Sequence, residues 1–265
     1  MSETLTGAPH PSDGGAAPAL RRVLAQTVFE ARAVMRNGEQ LLLSLILPAI
    51  ALCGLALTRI PDVLGMDTAD HPRVLIALSG VLGLAIASTA FTGQAIATGF
   101  DRRYGVLRQL ATTPLGTSGL VWGKLLAVYL VVLTQFVVLL ALAGVLGFRP
   151  GTAGISVPGL VCSAVVGTAS LLVWALVMAG TLRAEATLAL ANIVWVLMAT
   201  VGGILLAHPG AWGDLVGFLP FGALGDAMRA AVLEGRLAVV PLLVMLAWSV
   251  VGLLVARRWF RWSAT

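Results

Sequence analysis

The chain has 265 residues, of which 58% are hydrophobic and 11% charged, and its mean hydropathy is +0.96. A soluble domain carries roughly a quarter of its residues as charges, so an ordinary water-soluble enzyme is excluded and membrane spans become the unit of organisation. The formal charge of +5 does not argue for nucleic acid, because the basic residues stand at the ends of apolar runs, where topology accounts for them.

Residues 1–18 mix Ser, Gly, Ala and Pro without an apolar core or a basic start. They read as a disordered cytoplasmic tail and not as a signal peptide. Leu20, Leu24, Val28, Ala31 and Met35 then recur at steps of three and four, with Arg22, Gln26 and Arg36 on other faces. This spacing predicts an amphipathic interfacial helix over 19–38, broken at Asn37-Gly38 and lying on the inner membrane surface as a force-carrying elbow or a passive anchor.

A helix needs about 20 residues to cross the hydrocarbon core. Runs at 40–57, 74–98, 120–146, 157–182, 186–206 and 237–256 meet or approach that length, which predicts an all-α membrane protein with a six-span domain over 39–256. Arg21, Arg22, Arg32, Arg36, Arg102, Arg103, Arg108, Lys124, Arg183, Arg257, Arg258 and Arg261 all fall on one side if both termini are cytoplasmic, the tail 257–265 included. The opposite loops hold fewer arginines than acids, so an N-in, C-in orientation is expected.

Between the second and third runs, residues 100–119 form the most charged stretch after the N-terminal helix. Asp101 is placed to bias the start of a short helix, Leu107 and Leu110 share one face, and Arg102, Arg103 and Arg108 supply cationic donors. Thr113-Pro114 ends that helix, and Thr117 or Ser118 is expected to cap the third span. By themselves these arginines also suit plain topology enforcement and headgroup binding. Lys124 is expected to snorkel to the headgroups, since Gly119 to Lys124 lacks the spacing of a phosphate loop.

Further on, 207–236 is long for a structureless connection. Its apolar middle, interrupted at Phe218-Leu219-Pro220-Phe221 and followed by Asp226-Ala227-Met228-Arg229, predicts a re-entrant pair of short helices dipping in from outside. A surface-lying amphipathic loop is the plainer alternative.

Taken together, Asp101, Arg102, Gly105, Leu107, Leu110, Thr113 and Pro114, with the Leu-Pro and Asp-Ala-x-Arg elements at 219–229, resemble the ABC type-2 exporter permease family. Asp101 stands where glutamate is commoner, Val106 where Thr or Ser is frequent, and Arg108 where an acid often follows. The resemblance implies a permease that works as a homodimer or with a related subunit, and a separate ATP-binding-cassette ATPase as partner. Arg102, Arg103, Gly105, Leu107, Arg108 and Leu110 would make the ATPase-coupling contact. The resemblance also places Phe218, Pro220 and Phe221 in the outer re-entrant region and Thr89, Thr92, Gln94, Asn192 and Trp195 along the substrate pathway, although interhelical hydrogen bonding explains those five equally well. No cofactor is expected on this chain itself; ATP and Mg would be bound by the partner. The implied location is a bacterial-type inner membrane, and the implied cargo is a hydrophobic drug, an antibiotic or a lipid-like molecule.

Other classes find less support. No acid lies inside a predicted span, which counts against an ion-coupled secondary transporter, and a non-transporting scaffold rests only on the basic loop and the basic C-terminal end. Arg183 and Glu185 read as structural, satisfied by a simple ion pair or by water. His10, His71 and His208 are isolated, Cys53 and Cys162 lie in apolar runs, and neither set suggests a metal site or a triad. Gly80 with Gly83, and Ser163 with Gly167, offer small-residue packing faces.

Overall fold

A computed structural model describes residues 17–63, 71–149 and 154–259. The expected tail up to residue 16 and the segment beyond Trp259 lie outside the described residues. Among those described, every regular element is helical: α1 (Ala19–Arg36), α2 (Gly38–Leu41), a π-helical stretch Leu42–Ile46, α3 (Leu47–Leu57), α4 (Ile60–Val63), α5 (Arg73–Ile86), a second π stretch Ala87–Gly93, α6 (Gln94–Arg103), α7 (Val106–Ala111), α8 (Gly116–Val145), α9 (Val157–Thr181), α10 (Ala184–Thr200), α11 (Gly210–Gly217), α12 (Pro220–Val232) and α13 (Val239–Trp259).

Four helical runs are long and apolar enough to cross a membrane: Arg73–Arg103, α8, α9 and α13. The α11–α12 pair, bent by 103°, passes the same test only when taken as one broken span, and Ser44–Leu57 and α10 are apolar but shorter. The chain is thus a multi-pass, all-helical membrane protein. The run at 186–206 yields a helix ending at Thr200, six residues early. Gly202-Gly203 accounts for this, since Gly203 adopts φ +80°, a left-handed conformation that stops a helix.

The centre of the bundle is the Arg73–Arg103 run, 94% buried over its most apolar window. It is enclosed by α3, α8, α9, α10 and α12. Leu78, Leu82, Ile86, Leu171, Ile204, Leu224 and Met228 are fully buried there. On the outside, α8 and α13 expose Leu133, Val137, Leu243, Val250 and Leu254, the apolar surface that lipid replaces water against.

Small residues set how closely the helices approach. A β-carbon at Gly80 would lie 2.5 Å from the Leu205 carbonyl oxygen, and one at Gly167 would lie 2.6 Å from Leu224 Cδ1, so both expected small faces are used. Helix α12 begins as the sequence suggests: Leu219 is extended ahead of Pro220, which occupies the first turn. Phe221 meets Phe91 edge to face at 5.0 Å. Arg229 then donates to the carbonyls of Gly203, at 2.8 Å, and Ile204, at 3.2 Å, and pairs with Asp226 at 2.7 Å. The unwound end of α10 leaves carbonyls without helical partners, and this guanidinium satisfies two of them.

Gly225 permits that contact, since a β-carbon there would come within 2.2 Å of the Gly203 carbonyl oxygen. Gly225→Val is expected to cost about 1–3 kcal/mol through overpacking and to lower the thermal midpoint in detergent. Gly144→Val, which meets nothing within 4 Å, should leave the midpoint in place. Equal melting of both variants would contradict a tight seam between α12 and the chain that follows α10.

Candidate functional site

Two helices that outrun the bilayer carry the charged loop. The Arg73–Arg103 run has 31 residues and α8 has 30, so each is about 45 Å long against a hydrocarbon core of about 30 Å. Helix α7 joins their near ends. Gly105, at φ +74°, makes the left-handed turn between α6 and α7, a conformation that costs any residue with a β-carbon. Beyond Ala111, the hydroxyls of Thr112 and Thr113 donate to the carbonyls of Gln109, at 2.8 Å, and Leu110, at 2.6 Å, closing the helix ahead of Pro114. Asp101 belongs to the last turn of α6 and not to the start of α7, and Leu115 precedes α8 without any side-chain cap from Thr117 or Ser118.

Lys124 does not snorkel. Its side chain is 2% exposed and its ammonium lies 3.0 Å from Glu30 Oε1 on α1 and 3.1 Å from Asp101 Oδ2 on α6. Gln26 donates to the same Glu30 oxygen at 2.9 Å. The cause is the closeness of α1: a β-carbon at Gly123 would fall 2.6 Å from Gln26 Cγ, so α1 seals the route by which the ammonium would reach headgroups. A charge enclosed in this way must be paired. Helix α1 accordingly turns Gln26, Thr27 and Glu30 inward onto α8 and leaves Leu20, Leu24, Val28 and Met35 outward.

The loop is tied down at further points. Arg22 of α1 donates to the Pro114 carbonyl, and Arg102 donates to the Ala179 carbonyl at the end of α9, at 2.7 Å. Arg103 pairs with Glu185, so that carboxylate is engaged by the charged loop. Leu107 is 1% exposed and faces the bundle, and Leu110 is half-buried. Among the expected coupling residues, Arg103 and Arg108 stand outward, as does the neighbouring Tyr104 at 70% exposure.

The five expected pathway residues divide. Thr89, Thr92 and Gln94 are buried within the single chain, while Asn192 and Trp195 on α10 are half-exposed. Trp195 closes over the second π stretch by donating from Nε1 to Ser88 Oγ at 2.8 Å. Gln135 of α8 bridges the two π stretches, donating to Thr89 Oγ1 at 2.7 Å and to the Ser44 carbonyl at 2.9 Å. A π turn displaces carbonyls from the helical ladder and recurs at functional sites; here the Ser44 carbonyl is taken up by an amide from another span. Gln40 Nε2, Ser44 Oγ, Thr92 Oγ1, Gln94 Oε1 and Gln135 Oε1 are buried without a partner. The sequence reading missed Gln135 and Gln40. The signal for Gln135 was a lone amide midway along an otherwise apolar run.

Lys124→Met should leave two carboxylates facing one another and is expected to cost about 3–5 kcal/mol, as removal of one member of a buried ion pair does. Because Asp101 is 32% exposed and sheds part of that penalty to water, the lower end applies. Lys124→Met combined with Glu30→Gln should recover part of the loss. Unfolding of all three proteins in micelles measures the coupling, and strict additivity would exclude the cluster as an energetic unit.

The family of ABC-2 family transporter proteins matches residues 65–258, a stretch that includes the central run, α7 and the α11–α12 pair. No curated protein matches the chain. With nearly three quarters of its length inside that match, the chain belongs to the ABC-2 family of membrane transporter proteins.

Proposed function

We propose that this chain is the permease subunit of an ATP-driven exporter, coupled to a separate ATP-binding-cassette ATPase and paired with a second permease to form the pathway. The observation that carries this reading is the mounting of α7. It is a short helix held beyond the bilayer by two long spans, anchored inward by Leu107 and presenting Arg108 outward.

In this reading both termini are cytoplasmic, 40–57 and 186–206 complete a set of six spans, and α11–α12 is re-entrant from the outer side. Helix α1 serves as the elbow, so the Glu30–Lys124–Asp101 cluster joins elbow, second span and third span into one body. Docking on the ATPase falls to Arg103, Tyr104 and Arg108, with Leu107 and Arg102 holding the helix in place and Gly105 setting its angle. ATP-driven closure of the partner tilts that body and changes access between the faces of the membrane. Thr89, Thr92, Gln94, Asn192 and Trp195 line the pathway only once α10 moves away from the central run; the Trp195–Ser88 hydrogen bond marks the shut state. An apolar surround with hydroxyl and amide groups suits a hydrophobic drug, an antibiotic or a lipid-like cargo.

Purification of the tagged chain from its native membrane in mild detergent is expected to bring down an ATPase of separate sequence whose activity vanadate inhibits. Arg108→Glu should reduce that co-elution by tenfold or more, on the order of 1.4 kcal/mol, while the chain inserts and melts as before. Leu107→Asp should instead lower the melting point as well. A clean preparation without ATPase, under conditions that preserve other such complexes, would overturn the assignment.

A further inference from the structure

Helix α9 packs on both α8 and α13 and keeps those two apart. The gap is a slot of about 500 Å³ with an almost wholly apolar wall, in which Leu125 of α8, Leu172 and Leu176 of α9 and Leu253 of α13 face one another. Leu107 of α7 and Arg257 of α13 stand at one end of it. The slot is of a size that takes a single extended hydrocarbon chain, and it opens beside Val121, Trp122 and Leu253, exposed residues of the apolar surface.

Polar groups also border the slot. Lys124 borders the slot, but its charge is already met by two carboxylates. Arg257 is exposed and forms no ion pair among the described residues. Thr98 also lines the slot, although its hydroxyl is enclosed. Trp122, 57% exposed beside the slot, marks the interface where an amphipathic ring settles. An apolar wall with a free cation at its edge matches the acyl chain and the phosphate of one phospholipid.

We propose that the slot between α8 and α13 binds one anionic phospholipid of the inner leaflet, with an acyl chain along Leu125, Leu172 and Leu253 and the phosphate on Arg257. The choice of leaflet rests on the orientation proposed above; the site itself does not. Because Leu107 closes the slot, the lipid touches the helix assigned to coupling, and a neutral lipid leaves Arg257 without a counter-charge.

Native mass spectrometry of the full-length chain, released from micelles holding equal amounts of phosphatidylglycerol and phosphatidylcholine with identical chains, tests this without any transport or ATPase readout. One phosphatidylglycerol per chain should survive release, favoured about fivefold over phosphatidylcholine, the preference expected of one arginine at an anionic headgroup. Arg257→Gln should abolish the preference but keep the lipid. Ala169→Phe and, from the opposite wall, Ala256→Phe should each remove it, with melting points recorded to confirm folding. Equal retention of both lipids by the parent, or undiminished retention in whichever folded Phe variant is obtained, would mean annular contact only and would overturn the proposal. Loss of ATPase co-elution with selective retention intact would instead count against the exporter reading alone.

Discussion

A buried ammonium between two carboxylates is the constraint on which the α7 end of this molecule depends. Lys124 cannot be exposed while α1 lies on α8, and α1 cannot leave α8 without uncovering Glu30 and an unmatched charge. Burial of an ion pair is a weak source of stability, because the desolvation it demands roughly cancels the attraction it supplies. Its value lies in specificity: one geometry satisfies all three groups, and that geometry fixes α1, α6 and α8 together. Gly123 makes the geometry reachable by letting Gln26 sit where a side chain would otherwise stand.

The opposite half is held by a different device with the same logic. There the problem is unsatisfied backbone at the end of α10, and the solution is a cation from α12 that reaches the Gly203 and Ile204 carbonyls and is balanced by Asp226. In a membrane no water is at hand to take these groups, so Arg229 and the tight fit at Gly225 are coupled requirements. Between the two clamps the central run changes from α to π and back. That segment carries Thr92 Oγ1, and Gln94 follows it and Gln135 packs on it, each with a buried polar atom without a partner, which makes this region the least settled part of the interior and the place where a change of helix pairing costs least.

The sequence shows the class, most of the helices and the position of the charged loop, because apolar run length and Lys/Arg placement are one-dimensional signals. It also shows the small-residue faces at Gly80 and Gly167 and the start of α12 at Pro220. It does not show that Lys124 is buried, since snorkelling is the ordinary fate of a lysine near a helix end and only the approach of α1 prevents it. Leu107 is visible as an apolar residue in a basic loop, but whether it faces a partner or its own bundle depends on where α9 and α13 lie. The same holds for Thr89 and Gln94, whose polarity is legible and whose burial is not. Gln135 was passed over because a single amide in a long apolar run has no periodicity to reveal it; its meaning comes from two π stretches on other helices.

The two clamps imply how movement is distributed. A segment fixed at three charged points moves as a unit, whereas α10 is joined to the central run by the Arg103–Glu185 pair at one end and near its middle by the neutral Trp195–Ser88 hydrogen bond, worth about 0.5–1.5 kcal/mol net. Much of the rest of its surface is exposed, at Leu190, Ile193, Val196 and Leu197. On the proposed function, force applied at α7 would pass through α6 and α8 into α1. Its release would fall on the middle of α10, where the bond to the central run is neutral. The slot beside Leu107 lies on the stiff side of that division, so an occupant there would act on the lever of the proposed exporter and not on its gate.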